Sequence, residues 1–168
     1  RTVIHQMIQQ RQGKIISLSG AGTSPRAYYN AYAVSKAGVV RLTETLAWEM
    51  QEYNIQVNAI APGPVNTRMT EEVVQAGLAA GAEELEGAKR LLAEGTQPIK
   101  AADLAIFLAC SDSDGITGKL ISAVYDNWPE WSEHTDALAN SELYTVRRLD
   151  PFTIRKLPPV LNLPLERS

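Results

Sequence analysis

Residues 13–64 read GKIISLSGAGTSPRAYYNAYAVSKAGVVRLTETLAWEMQEYNIQVNAIAPGP, and this stretch decides the fold. Lys14 to Leu18 is a short apolar run flanked by a polar residue and glycines, the pattern of a buried strand. Gly20 to Asn30, with Gly20, Gly22, Ser24 and Pro25, reads as a loop. Ala31 to Tyr53 is the longest helical stretch. Val34, Ala37, Leu42, Thr45, Leu46 and Met50 can share one broad face of it, with Glu44, Glu49, Gln51 and Glu52 as its polar residues. Ile55 to Ala61 is a second strand, closed abruptly by Pro62-Gly63-Pro64. Two strands joined by a helix of this length make a parallel pair with a right-handed crossover.

The flanks extend the same alternation. Residues 1 to 12 read as the end of an amphipathic helix on Val3, Ile4, Met7 and Ile8, stopped by Gly13. Residues 67 to 94 read as one or two helices broken at Gly77, Gly81 and Gly87. Between residues 71 and 94 six Glu stand against Lys89 and Arg90, which suits a solvated face. Ala101 to Ser111 is a further amphipathic helix, with Asp103 as negative charge near its N-terminus. Leu120 to Tyr125 is a third strand, and Trp128 to Ser141 is mixed and helical in part. From Pro151 onward the tail holds four of the nine prolines and is expected to be extended. The fold class is therefore α/β, with an open, doubly wound parallel sheet. Such sheets bind ligands beyond the C-terminal ends of their strands, which here are the loops after Leu18 and Ala61.

Composition excludes several classes of function. A net charge of −3 gives no electrostatic reason to expect nucleic acid or an anionic membrane as partner. No apolar stretch reaches the length of a membrane span. The single cysteine, Cys110, permits no intramolecular disulfide, which suits a cytoplasmic, reducing setting. It follows an apolar run and is expected to be a small buried hydrophobe. His5 and His134 have no metal-ligand spacing around them, so no metal site is expected. Trp48 is expected to pack within its helix. Trp128 and Trp131 are expected to pack the C-terminal region rather than line a substrate pocket, and Arg147-Arg148 before Asp150 to make a surface or subunit contact. The chain opens at Arg1, inside a helical pattern, and is expected to start in mid-domain.

Tyr32-Ala33-Val34-Ser35-Lys36 begins the long helix, so Tyr32 and Lys36 lie one turn apart on one face. Alone, such a pair describes an ordinary solvated helix surface. Its position gives it more meaning, because it follows directly on the loop that leaves the first strand. A free phenol titrates near 10 and is too weak an acid for proton transfer near neutrality. Bringing a phenol down by about three units takes about 4 kcal/mol. One ammonium about 4 Å away supplies roughly that at an effective dielectric of about 20. A helix N-terminus adds about 0.3–1 kcal/mol.

Three stretches together resemble the short-chain dehydrogenase/reductase family: Gly13-Lys14-Ile15-Ile16-Ser17-Leu18-Ser19-Gly20, Tyr32-Ala33-Val34-Ser35-Lys36-Ala37-Gly38, and Ile55 through Thr67. Their order and spacing match jointly over about residues 1–125. The resemblance implies the C-terminal part of a single Rossmann-like domain over 1–125, partial because the glycine-rich half is absent, and a subfamily extension over 126–168. It implies an NAD- or NADP-dependent oxidoreductase that interconverts an alcohol and a carbonyl. Tyr32 would be the general acid/base. Lys36 would lower the Tyr32 pKa and hold the nicotinamide ribose. Ser19 would hydrogen-bond the substrate carbonyl. Pro62, Gly63 and Val65 would shape the wall beside the nicotinamide, and Thr67 would bind its carboxamide or the diphosphate.

Two departures accompany the match. Counting back from Tyr32 puts the family's serine at Ser19, aligning by the strand puts it at Gly20, and Ser24 is a third candidate. A glycine-rich turn leading into a helix is missing, and is expected upstream of Arg1, so that the protein would function only in full-length form and NAD versus NADP is open. Small residues in the long helix, Ala33, Ala37 and Gly38, suit a homo-oligomer. A non-catalytic, cofactor-sensing or scaffold protein of the same fold is the alternative, but it would need neither Tyr32 nor Lys36.

Overall fold

The computed structural model describes residues 2–20, 29–94, 98–148 and 150. The expected tail from Pro151 and the loop residues 21–28, Ser24 among them, lie outside this set. Helix α1 (Thr2–Gln10) leads into strand β1 (Gly13–Leu18), α2 (Asn30–Met50), a 3-10 turn and β2 (Ile55–Ala61). Then come α3 (Arg68–Ala76), α4 (Ala82–Glu94), α5 (Ile99–Ala109), β3 (Leu120–Ser122), a 3-10 segment at Trp128–Glu133 and α6 (Thr135–Ala139). The strands lie in the order β1-β2-β3, all parallel. Gly13 pairs with Ile55 and Leu18 with Ile60, while Ala59 to Ala61 pair with Leu120 to Ser122.

β2 is central because it can be buried on both faces. Strand alternation sends Ile15, Ile55 and Val57 towards α1 and α2, where Met7, Ile8, Ala47, Leu46 and Met50 cover them. Ile16 and Ile60 point the other way, into a core with Leu104 and Leu108 of α5, Ile121, Trp131 and Leu138. Helices thus cover both faces, as a parallel sheet requires. Trp131 and Leu138 are fully buried in that same core, and Trp128 packs on Phe107 at 5.7 Å between ring centres. The polar exception in β2, buried Asn58, extends the sheet beyond the short β3. Its amide donates to the Ile116 carbonyl at 2.8 Å, and its Oδ1 accepts the Lys119 N–H at 3.1 Å.

Several expectations are corrected. Helix α1 is ended by Arg11, at φ 51°, not by Gly13. The Arg11 N–H donates to Ile8 and the Gln12 N–H to Met7, both at 3.2 Å, a Schellman end. Gly13 is instead the first residue of β1, where a Cβ would stand 2.6 Å from Met7 Sδ. Helix α2 buries Val40, Thr43 and Ala47, while Val34, Leu42 and Trp48 are 72%, 64% and 78% exposed. Its small residues face the sheet because the backbone approaches closely: a Cβ at Gly118 would lie 3.5 Å from that of Ala47. Trp48 is therefore not a packing residue among the described residues. Cys110 is exposed, not buried. It caps α5 about 200° around the helix from Leu108, with its N–H on the carbonyls of Ile106 and Phe107. α5 starts at Ile99, which moves Asp103 beyond its first turn. β3 stops at Ser122, whose hydroxyl accepts the Val124 and Tyr125 N–H groups and turns the chain.

The C-terminal segment is fastened by charges that the sequence did not flag. Glu44, whose side chain is 7% exposed, accepts the Val146 N–H at 2.7 Å and pairs with Arg41 and Arg147. Arg147 also pairs with Glu142. Lys119 is 2% exposed and donates to the carbonyls of Ser141 at 2.6 Å and Leu143 at 3.1 Å. Burial pushes its pKa down to about 8; Glu142 and Glu44 oppose that shift, and Arg147 adds to it. The folded chain therefore holds this proton less tightly than the unfolded chain, and stability rises as pH climbs from about 8 towards 10.5. The neutral amine keeps two N–H groups for the two carbonyls. Lys119→Met removes both donors, at about 1–3 kcal/mol per buried carbonyl left unsatisfied. Its stability deficit against the parent should widen across that pH interval, read from urea midpoints. A deficit independent of pH would contradict the burial argument.

Candidate active site

The C-terminal ends of β1 and β2 lie side by side, since Leu18 pairs with Ile60 and the Ser19 N–H donates to the Ile60 carbonyl at 2.8 Å. α2 begins over this edge. Tyr29 is its N-cap, and its ring stands edge-on to Tyr32, with centres 5.9 Å apart at 77°. Tyr32 and Lys36 follow on one face, with the Lys36 Nζ 5.7 Å from the Tyr32 ring centre. The Lys36 ammonium donates to the Leu18 carbonyl at 3.1 Å, which ties α2 to the last residue of β1. An ammonium carries three N–H donors, and this bond uses one.

Ser19 and Gly20 play different parts here. Ser19 is 3% exposed, and its hydroxyl donates to the Lys36 backbone carbonyl at 3.2 Å. Gly20 lies against the Tyr32 hydroxyl: a Cβ on Gly20 would stand 2.7 Å from that oxygen and 3.9 Å from Lys36 Cγ. The structure thus brings Tyr32, Lys36, Ser19 and Gly20 together but turns the serine hydroxyl into the helix.

The second group follows β2. Gly63 sits at φ +82°, and a Cβ there would meet Val124 Cγ2 at 2.6 Å, so only glycine fits this turn over the end of β3. Pro62 and Val65 are half-buried beside it. Thr67 is the N-cap of α3, and its N–H donates to Thr70 Oγ1 at 3.4 Å. Val124 and the Leu18 carbonyl escaped the sequence reading. The contact of Val124 depends on the Gly63 turn, and a backbone carbonyl leaves no trace in residue type. Among the described residues no group of three His, Cys, Asp or Glu converges as a metal site, and no helix is long and apolar enough to cross a membrane.

Parallel strands with helical crossovers, a Tyr–Lys pair opening a helix at the strand ends and a positive-φ glycine turn beside it all lie within the first 123 residues. A family model described as enoyl-(acyl carrier protein) reductase matches residues 1–123. The chain belongs to the short-chain dehydrogenase/reductase family. Among its relatives in that family, the 3-oxoacyl-[acyl-carrier-protein] reductase FabG of Thermotoga maritima is 37% identical over 120 residues, 71% of this chain and 47% of that protein. An NAD+-bound xylitol dehydrogenase superposes with a TM-score of 0.61 at 28% identity, covering 70% of this chain and 50% of that one. A gluconate 5-dehydrogenase from Burkholderia cenocepacia, in complex with NADP and tartrate, gives 0.59 at 26% identity, with 71% and 46% covered. The expected Rossmann-like, doubly wound architecture agrees with these dehydrogenases. The chain spans about half the length of the curated relatives it matches.

Proposed function

We propose that this protein interconverts an alcohol and a carbonyl compound by hydride transfer, with NAD or NADP as cofactor. The observation that carries the proposal is the Tyr32–Lys36 pair at the C-terminal end of β1, with the Tyr32 hydroxyl against Gly20 and the Lys36 ammonium hooked to Leu18. The residues fit a nicotinamide nucleoside. Lys36 presents a polyvalent donor suited to ribose hydroxyls, and the Gly63 turn with Pro62 and Val65 makes an apolar wall suited to a flat ring. Thr67, opening α3, suits a carboxamide or a phosphate oxygen. When bound, the cofactor supplies or accepts the hydride.

The chain's own residues handle the proton. In reduction, the Tyr32 O–H donates to the substrate oxygen as that oxygen gains negative charge, and the proton leaves the phenol. In oxidation, the Tyr32 phenolate takes the proton of the alcohol. The Lys36 ammonium stays one helical turn from Tyr32, its Nζ 5.7 Å from the ring centre, with donors left for the ribose.

Two further readings accompany this one. Val34, Gly38, Leu42, Thr45 and Trp48 form an exposed row along α2, which suits packing against a second copy of the chain in a homo-oligomer. An exposed single thiol, Cys110, suits a reducing compartment such as the cytoplasm.

The test is a cofactor-oxidation screen of the full-length protein. NADH and NADPH are offered with 3-oxoacyl thioesters, ketoses and oxo acids, and NAD and NADP with the matching alcohols. Turnover with at least one pair is expected, with one nucleotide preferred. Failure across the whole panel would sink the proposal.

A further inference from the structure

The end of β1 meets α2 through three successive residues, each in its own way. The Leu18 carbonyl accepts the Lys36 ammonium, the Ser19 hydroxyl donates to the Lys36 carbonyl, and Gly20 supports the Tyr32 hydroxyl. Lys36 is therefore gripped at both ends, by its side chain and by its backbone. A hydroxyl has one proton to donate. While that proton lies on the Lys36 carbonyl it cannot also lie on a substrate oxygen. The hydroxyl is also buried, in a residue 3% exposed whose N–H is fixed to Ile60 at 2.8 Å.

We propose that Ser19 is a positioning residue, which fixes the turn of α2 carrying the Lys36 ammonium, and that Gly20, two residues past the end of β1, is the residue facing the reacting oxygen. This rests on the function proposed above. It departs from the role that counting back from Tyr32 assigns to Ser19, a donor to the substrate carbonyl. It also makes a distinct claim about residue 20. The space beside the Tyr32 hydroxyl is held open by the missing side chain, so any Cβ there must push the phenol oxygen aside.

The experiment uses the full-length protein with 15N-labelled lysine, the Lys36 ammonium signal being assigned with a Lys36→Arg variant. Ser19→Ala is expected to lower the order of the Lys36 ammonium, a readout that needs no substrate. It should also lower kcat between about tenfold and about 100-fold, as slight misplacement of a catalytic group does, with KM little changed. Gly20→Ser is expected to reduce kcat as well, by displacing the Tyr32 hydroxyl.

An unchanged Lys36 signal in Ser19→Ala, with the loss appearing in KM or only in the melting temperature, overturns the proposal. So does a gain of turnover in Gly20→Ser. Should Ser19→Ala not fold, Ser19→Cys, close in size and a weak donor, is read the same way. Failure of both to fold would place Ser19 in the core alone and also overturn the proposal. A released Lys36 in a protein that turns over nothing would support the grip on Lys36 and count only against the oxidoreductase reading.

Discussion

Replacing Tyr32 by Phe in the full-length protein is expected to lower turnover by about 10²- to 10⁴-fold, the usual worth of a positioned general acid/base. The substitution deletes one oxygen. The ring stays, and with it the edge-on contact to Tyr29 and the packing of the first turn of α2. Lys36 keeps its bond to Leu18, so the part of the site suited to the ribose is undisturbed. Nicotinamide nucleotide binding, followed by fluorescence quenching, should therefore change little while kcat falls. The two readouts separate chemistry from folding. If turnover survived intact, Tyr32 would not be the proton donor, and the role of the pair would reduce to helix packing.

The second large effect is on stability. Trp131 is completely buried, in the core that joins β2, β3, α5 and α6, with its ring 4.4 Å from that of Tyr144. Trp131→Ala is expected to cost about 3–5 kcal/mol, the range for deleting a buried aromatic side chain. The indole N–H has no hydrogen-bond partner among the described residues. Trp131→Phe removes that donor with part of the ring, and should cost clearly less than Trp131→Ala. Guanidinium unfolding followed by circular dichroism would measure both. Equal losses in the two variants would mean that the N–H is satisfied in solution. Residues beyond the family match thus hold up the sheet that carries the site.

Legibility in the sequence followed the range of the forces involved. Ile55–Ala61 was readable to the residue, because a mostly apolar run closed abruptly by Pro62-Gly63-Pro64 reads as a buried strand. The glycine-broken helices between 67 and 94 were readable for the same local reason, although the breaks came at Gly77 and Gly81 while Gly87 stayed helical. The face that α2 buries was not readable. Apolar residues surround that helix, and its orientation is decided by how closely Ala47 can approach the Gly118 turn. Cys110 was misread because an apolar run predicts burial of the run, not of the residue that caps it.

The sequence by itself determined the order of strands and helices and the spacing that sets Tyr32 and Lys36 on one helical face, since both are written in local periodicity and residue type. Only the tertiary structure decided where the Ser19 hydroxyl points, that Gly20 rather than a hydroxyl lies against Tyr32, and that Lys119 and Glu44 are buried as clasps on the C-terminal segment. These depend on groups far apart along the chain. Glu44 meets Arg147 across 103 residues and Lys119 meets Leu143 across 24. A single proton on a serine, or a single charge on a lysine, takes its partner from whichever backbone carbonyl folding brings within reach.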